Sequence, residues 1–254
     1  MFRHEGVHRE HRHDRALAAY LALVAGFVNA VGFVLVGTYT SHVTGNVGRF
    51  ADDLALGGNA ALFAALMVLA YFAGAFSASV AIESNMVRHR PWTYGSLLLV
   101  EAGLLVIFVV LEGVFLAPTP RIHDVEAMLL CAAMGLQNSL VTRLSGAVVR
   151  TTHLTGVVTD LGIEAARWFR YWRGLLAART NLRLVAGSAQ PVAPHAPKAL
   201  LLLTILAAFI GGSMAGAIAV HTWGRLALAL PVAGLVVGGA LALLQRPTAD
   251  DSRD

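Results

Sequence analysis

The sequence predicts an all-α polytopic membrane protein. It has about six transmembrane helices and two further re-entrant or half-spanning motif helices, arranged as a 3+3 inverted repeat. Three observations predict this. The 254 residues are 57% hydrophobic and only 13% charged, against about 25% charged in soluble domains, and the mean hydropathy is +0.66. Apolar runs long enough to cross the ~30 Å hydrocarbon core recur along the chain. A short threonine-histidine-glycine motif occurs twice, 111 residues apart.

The composition also excludes. Disordered, collagenous and coiled-coil chains do not look like this, and neither does a water-soluble enzyme. The lone Cys131 permits no intrachain disulfide and no CxxC metal or redox motif. The net charge of +4 comes almost entirely from arginine, Lys198 being the sole lysine. Residues 1–15 are too long and too charged for a signal-peptide n-region, and no A-x-A site follows the first apolar run.

Six segments have spanning length: near Ala16–Gly37, Ala60–Ile82, Trp92–Leu116, Val125–Thr142, Ala199–Val220 and Leu226–Leu244. Of the 19 Lys and Arg, all but Arg49, Arg121 and Arg225 fall on one side of the membrane in this threading. By the positive-inside rule both termini are cytoplasmic, in the bacterial plasma (inner) membrane. The parts are then a cytoplasmic tail (1–15), a first repeat (16–116), a second repeat (117–244) with an Arg-rich cytoplasmic loop (167–197), and a cytoplasmic C-terminal tail (245–254). Within that loop Trp168, Phe169, Tyr171 and Trp172 interleave with Arg167, Arg170 and Arg173. That is the composition of an interfacial helix end, favoured over a nucleic-acid patch beside so much membrane.

The repeat is read from a self-match. Residues 40–47 are TSHVTGNV and residues 151–158 are TTHLTGVV. Upstream of each lies Gly-x-x-Asn, Gly26 to Asn29 and Gly135 to Asn138, at an offset of 109. Downstream, FAGAFSAS at 72–79 loosely matches FIGGSMAG at 209–216, at an offset of 137. Each half reads as span, motif segment, span, span. Three crossings are odd, so the second half enters with the opposite orientation. Such repeats place transporter sites near the midplane, on discontinuous helices.

The motif segments are expected to be helices starting near Thr40 and Thr151, capped by Thr40, Ser41, Thr151 and Thr152. Helical spacing puts His42, Gly45, Arg49 and Asp53 on one face, and His153, Gly156, Asp160 and Glu164 on the equivalent face. Such segments are too polar to meet lipid and fit the lining of a cavity. Uncapped N–H groups there can bind an anionic group, and imidazoles titrate near neutrality. The candidate substrate-binding set is therefore His42, Thr44, Gly45 and Asn46 with His153, Thr155 and Gly156, joined by Asn29, Asn138, Asp160 and Glu101. Glu101 lies deep in the third span, where an ionisable group costs ~2.5–3.5 kcal/mol; its expected partner is a His or Arg of a motif helix.

Plainer readings stand beside these. The two histidines can donate to carbonyls across the repeat interface. Asn29 and Asn138 can be interhelical glue, typically worth about 0.6 kcal/mol. Arg49 and Asp53 can pair on a surface, and Asp160 and Glu164 can be solvated. The small-residue pairs Gly212/Gly216, Gly234/Gly238 and Gly74/Ala78 mark close helix packing. The tail histidines His4, His8, His11 and His13 suit no defined metal geometry. Walker, HExxH, GxSxG and dinucleotide motifs are missing, so no catalytic residue, metal or cofactor is expected and the chain is read as not an enzyme.

With Gly26 through TSHVTGN and TTHLTGVVTDLG in hand, the chain resembles the YoaK-type family of bacterial integral membrane proteins over roughly residues 16–244. The resemblance implies an inner-membrane protein of about six helices, sometimes called a permease, with no established substrate. The family's first motif commonly carries an acidic residue where this chain has Asn29, so a titratable group is missing at that position. The expectation is a secondary transporter or permease with its site between the two motif helices. Its partners would be the lipid bilayer and a small-molecule substrate, with proton coupling and a homo-oligomer left open and no nucleic acid. The alternative is a non-transporting scaffold or sensor acting through the Arg-rich cytoplasmic loop.

Overall fold

A computed structural model describes residues 11–58, 60–86, 92–114, 120–144, 154–180 and 196–244. Among these residues all regular structure is helical. The helices are α1 (His11–Val36), α2 (Val43–Ala55), α3 (Ala61–Met86), α4 (Thr93–Val114), α5 (Pro120–Leu144), α6 (Leu154–Thr180), α7 (Ala196–Trp223) and α8 (Ala229–Leu244). A short 3-10 turn, Gly224–Leu228, joins the last two. Five stretches are long and apolar enough to cross a membrane, and the last, Ala196–Leu244, holds 49 residues. At 1.5 Å per residue that stretch is over twice the core thickness, so it must fold back. It does so at Gly224, whose φ of +56° is the left-handed conformation that glycine adopts without a Cβ penalty.

Side-chain contacts fix the helix directions. Gly216 lies against Phe27 and Gly212 against Leu23, so α1 and α7 run parallel. Gly74 meets Ala132, Ser79 bonds Ser139 at 2.8 Å, and Glu83 pairs with Arg143, so α3 and α5 run parallel. Gly32 meets Leu130 while the Gln137 amide donates to the Leu21 carbonyl at 3.0 Å, so α1 and α5 are antiparallel. Gly95 faces Gly239 and Arg225 faces Phe108, so α4 and α8 are antiparallel. α2 follows the end of α1 and α6 follows the end of α5. The two motif helices therefore sit at opposite ends of the bundle.

The closest helix pairs are α1 with α7 and α3 with α5. Their seams are built alike. A Cβ on Gly26 would collide with the Phe209 carbonyl, and one on Gly212 with the Leu23 carbonyl. In the other seam a Cβ on Gly135 would collide with the Tyr71 carbonyl, and one on Gly74 with the Ala132 carbonyl. Small residues that bring backbone onto backbone are the general solution where lipid offers no hydrophobic drive between helices. Large apolar side chains on the outer faces stay exposed, among them Leu62, Leu69, Phe72 and Phe76 of α3 and Leu203, Ile210, Met214 and Ile218 of α7. That is the surface a bilayer would cover.

The seams correct the expected alignment. Gly74 and Tyr71 correspond to Gly212 and Phe209, an offset of 138 rather than 137. Pairing the phenylalanines slipped the register by one residue; backbone contact at glycine sets it. The helix lengths bring a second correction. α2, at 13 residues, fits a half-spanning helix, but α6 has 27. The Arg- and aromatic-rich stretch, read as an interfacial helix end, is helical: residues 167–180 continue α6, because Ala, Leu and Arg are strong helix formers. Thirdly, α2 packs on α3 and α6 on α7, and the two form no packed interface with each other. A shared motif marks equivalent places; here those places are far apart.

Candidate functional site

The first motif is organised by Asn29. Its side-chain Oδ1 accepts from the Ser41 backbone N–H at 3.2 Å and from the Ser41 hydroxyl at 3.0 Å. This ties the segment between α1 and α2 back onto α1. The chain reaches that point because Gly37, with φ +75°, ends α1 in the left-handed conformation while its N–H bonds the Phe33 carbonyl at 2.9 Å. Thr40 then lies buried against Gly32, its hydroxyl without a hydrogen-bond partner among the described residues. Arg49 donates to the Thr38 hydroxyl at 2.9 Å. The expected Arg49–Asp53 pair is replaced by this bond; Asp53 instead turns toward Gly58.

The cap and the inward face both differ from expectation. α2 begins at Val43 with His42 in the cap position and no side-chain cap bond. Ser41 is occupied by Asn29. The His42 ring folds over Gly45, which has room for it only because it lacks a Cβ. His42 and Thr44 are exposed, whereas Asn46 is buried. The face turned to the bundle is thus Val43, Asn46, Phe50 and Asp53, one position away from the histidine stripe. α6 turns the equivalent positions Leu154, Val157, Leu161 and Glu164 inward, with Glu164 more deeply buried than its counterpart Asp53.

The second motif is described from Leu154 onward, so His153 lies outside the described residues, as do Thr151 and Thr152. Thr155 is exposed and Gly156 half-buried. Asn138, the counterpart of Asn29, has a buried Oδ1 without a partner among the described residues. Asp160 and Glu164 are not simply solvated. Lys198 of α7 sits 3.7 Å from Asp160 and 3.6 Å from Glu164, and Arg167 lies 2.7 Å from Glu164. The Lys198 contacts clamp α6 to the start of α7.

Glu101 belongs to neither motif cluster. It is fully buried on α4, and both carboxylate oxygens are without a hydrogen-bond partner among the described residues. Among the described residues the expected His or Arg partner from a motif helix is not there, because neither α2 nor α6 packs on α4; His153 lies outside them. Its neighbour in electrostatic reach is Tyr20 of α1. The Tyr20 hydroxyl is buried, unpartnered, and stands 2.9 Å from where a Cβ on Gly234 would be. Gly234 and Gly238 thus make room for a tyrosine rather than for a helix backbone.

Sequence reasoning missed one cluster. Glu126 of α5 is fully buried and takes both arms of Arg225, at 2.6 and 3.1 Å. His123 Nδ1 lies 3.3 Å from the same carboxylate, and the Arg225 guanidinium stacks 5.1 Å from the Phe108 ring centre. The available signal was a lone arginine between two apolar runs, sharing its membrane side with an acid just inside another span.

Comparison with known proteins agrees with a membrane role. The chain is 28% identical over 206 residues to a UPF0700 transmembrane protein of Rhizobium meliloti, a match covering 76% of this chain and 85% of the relative. No solved structure matches the chain. Residues 17–243 match the family described as protein of unknown function DUF1275. The two glycine seams, the paired motifs and all of the helices except the first six residues of α1 and the last of α8 fall within that span: the chain is a member of the DUF1275 family of membrane proteins.

Proposed function

We propose that this protein is a secondary transporter, a permease for a small polar solute, built as an inverted repeat in a bacterial inner membrane with both termini cytoplasmic. One observation carries the reading. The α1·α7 and α5·α3 seams exchange the same glycine-to-carbonyl contacts while α1 and α5 run antiparallel, which is the relation expected of two halves inverted about an axis in the membrane plane. Seams of backbone on backbone, with few interleaved side chains, suit the rocking of one half against the other. Each motif helix is held chiefly by one neighbour, α2 by α3 and α6 by α7. In this reading each lines a vestibule at its own end of the bundle. Asn29, His42, Thr44, Gly45 and Asn46 would contact solute at one end, and Asn138, His153, Thr155 and Gly156 at the other. No covalent step is involved.

The alternative, a non-transporting scaffold or sensor, draws on α6. Phe169, Trp172 and Leu176 are exposed there beside Arg170 and Arg173. The test is efflux from proteoliposomes loaded with a defined mixture of amino acids, organic acids and nucleosides, read by mass spectrometry. Transport predicts that at least one solute class leaves faster than from protein-free vesicles, with the rate reduced in both His42→Ala and His153→Ala. Rates equal to those of empty vesicles for the whole mixture would favour the scaffold.

A further inference from the structure

The molecule carries three fully or almost fully buried glutamates among the described residues: Glu101, Glu126 and Glu164. Two are neutralised in place. Glu126 has Arg225 and Glu164 has Arg167 and Lys198. Among the described residues Glu101 has no cation and no donor on either oxygen. It lies eight residues into α4, which starts at Thr93, about 12 Å along the helix at 1.5 Å per residue. A carboxylate left bare in such a place is far costlier than a paired one. Something must neutralise it when the bundle is closed.

We propose that Glu101 is an exchangeable proton site in the middle of the bundle, with Tyr20 of α1 as its hydroxyl neighbour. The proposal rests on the transport reading only for what the proton would drive; proton binding itself does not depend on it. The groups around Glu101 point to a proton rather than a metal cation. A hard cation takes about six oxygen ligands, but α4 is an unbroken helix here and frees no carbonyl. α8, which packs on α4, has no titratable residue. α1 offers Tyr20. α5 offers Gln137, whose amide is bound to the Leu21 carbonyl and whose carbonyl oxygen is unpartnered, and Cys131, which packs with Met67 on the α3 side. Glu126 of α5 and Arg225 of the 3-10 turn are engaged with each other at one end, and Glu83 of α3 with Arg143 at the other. The other buried glutamates among the described residues, Glu126 and Glu164, are each held by a cation instead.

The neighbourhood can also open. One turn from Glu101 runs the α4·α8 seam, where a Cβ built on Gly238 would stand 3.8 Å from both Leu98 and the Tyr20 hydroxyl, and Gly95 and Gly239 face each other. A seam this rich in glycine can part slightly without dragging bulky side chains past one another. Tyr20 is itself only half-buried, while its hydroxyl is enclosed. The ring therefore links the surface of the bundle to the carboxyl.

Dicyclohexylcarbodiimide tests this on the detergent-purified full chain. The protonated carboxyl adds across one C=N bond, its proton going to nitrogen and its oxygen to carbon, and the adduct rearranges to a stable N-acylurea. Peptide mapping by mass spectrometry should find the adduct on Glu101 and little on Glu126 or Glu164. Labelling should fall about tenfold per pH unit once the site's midpoint is passed, as for one titrating group. Glu101→Gln should remain folded and lose the adduct. Tyr20→Phe should keep it, with the pH midpoint displaced. Labelling no greater at Glu101 than at Glu126, or unchanged from about pH 5 to pH 10, a window that lies above the ordinary glutamate value of about 4.3, would overturn the proposal. So would protection by sodium chloride but not by potassium chloride, which would mark a cation site. The assay needs no solute flux: intact labelling with no efflux defeats only the transport reading, and absent labelling defeats only the proton site.

Discussion

Arg225 holds Glu126 with both guanidinium arms while its flat face rests on the Phe108 ring. The contact joins three elements, the 3-10 turn before α8, the start of α5 and the later part of α4. Breaking it from one side strands a buried charge. Arg225→Met or Glu126→Gln should each cost about 3–5 kcal/mol of stability, read as a lower unfolding midpoint in detergent. The double variant should recover most of that loss. Equal losses in single and double variants would mean that the pair is not coupled.

The glycine seams give a graded prediction. Gly74→Val, Gly135→Val and Gly212→Val each push a side chain into backbone and should abolish monodisperse protein on size exclusion. Gly103 and Gly211 have nothing within 4 Å of a built Cβ. Gly103→Ala and Gly211→Ala should be neutral or stabilising by up to about 1 kcal/mol, from the better helix propensity of alanine. A severe loss at Gly211 would contradict the assigned register.

Opposite placement of the motif helices is checked by single-cysteine accessibility. Cys131 is buried and can be changed to Ser. Thr44→Cys and Thr155→Cys, both at exposed positions, should then react with a membrane-impermeant maleimide from opposite sides. Reaction of both from the same side would remove the inverted arrangement.

Asn29→Asp is expected to fold. A carboxylate can accept both Ser41 bonds, and a charged acceptor strengthens each. Asn29→Ala should lose about 1–3 kcal/mol by leaving the Ser41 donors unmet. Thermal unfolding of the two variants side by side decides this; equal midpoints would mean that the Asn29–Ser41 bonds contribute nothing.

Much of this fold was legible in the sequence. Run length alone placed α1, α3, α4, α5, α7 and α8, because a bilayer demands about 20 apolar residues. Small-residue pairs marked the seams at Gly212 and Gly74. Other features needed three dimensions. Periodicity could say that α2 has faces but not which one turns inward, and the one-residue offset that buries Asn46 and exposes His42 comes from packing on α3. Repetition of the histidine motif announced equivalence, which says nothing of proximity. The Glu126–Arg225 pair joins residues 99 apart, and no local pattern reports such a contact.

The α1·α7 seam has a consequence for biogenesis. The helix that enters the membrane first finds its closest partner in one of the last to be made. Until Gly212 and Gly216 have left the ribosome, the carbonyls of Leu23 and Phe27 that they will cover face lipid or a chaperone. Assembly is thus deferred to the final stage of synthesis, and a chain released early leaves its leading helix without a mate.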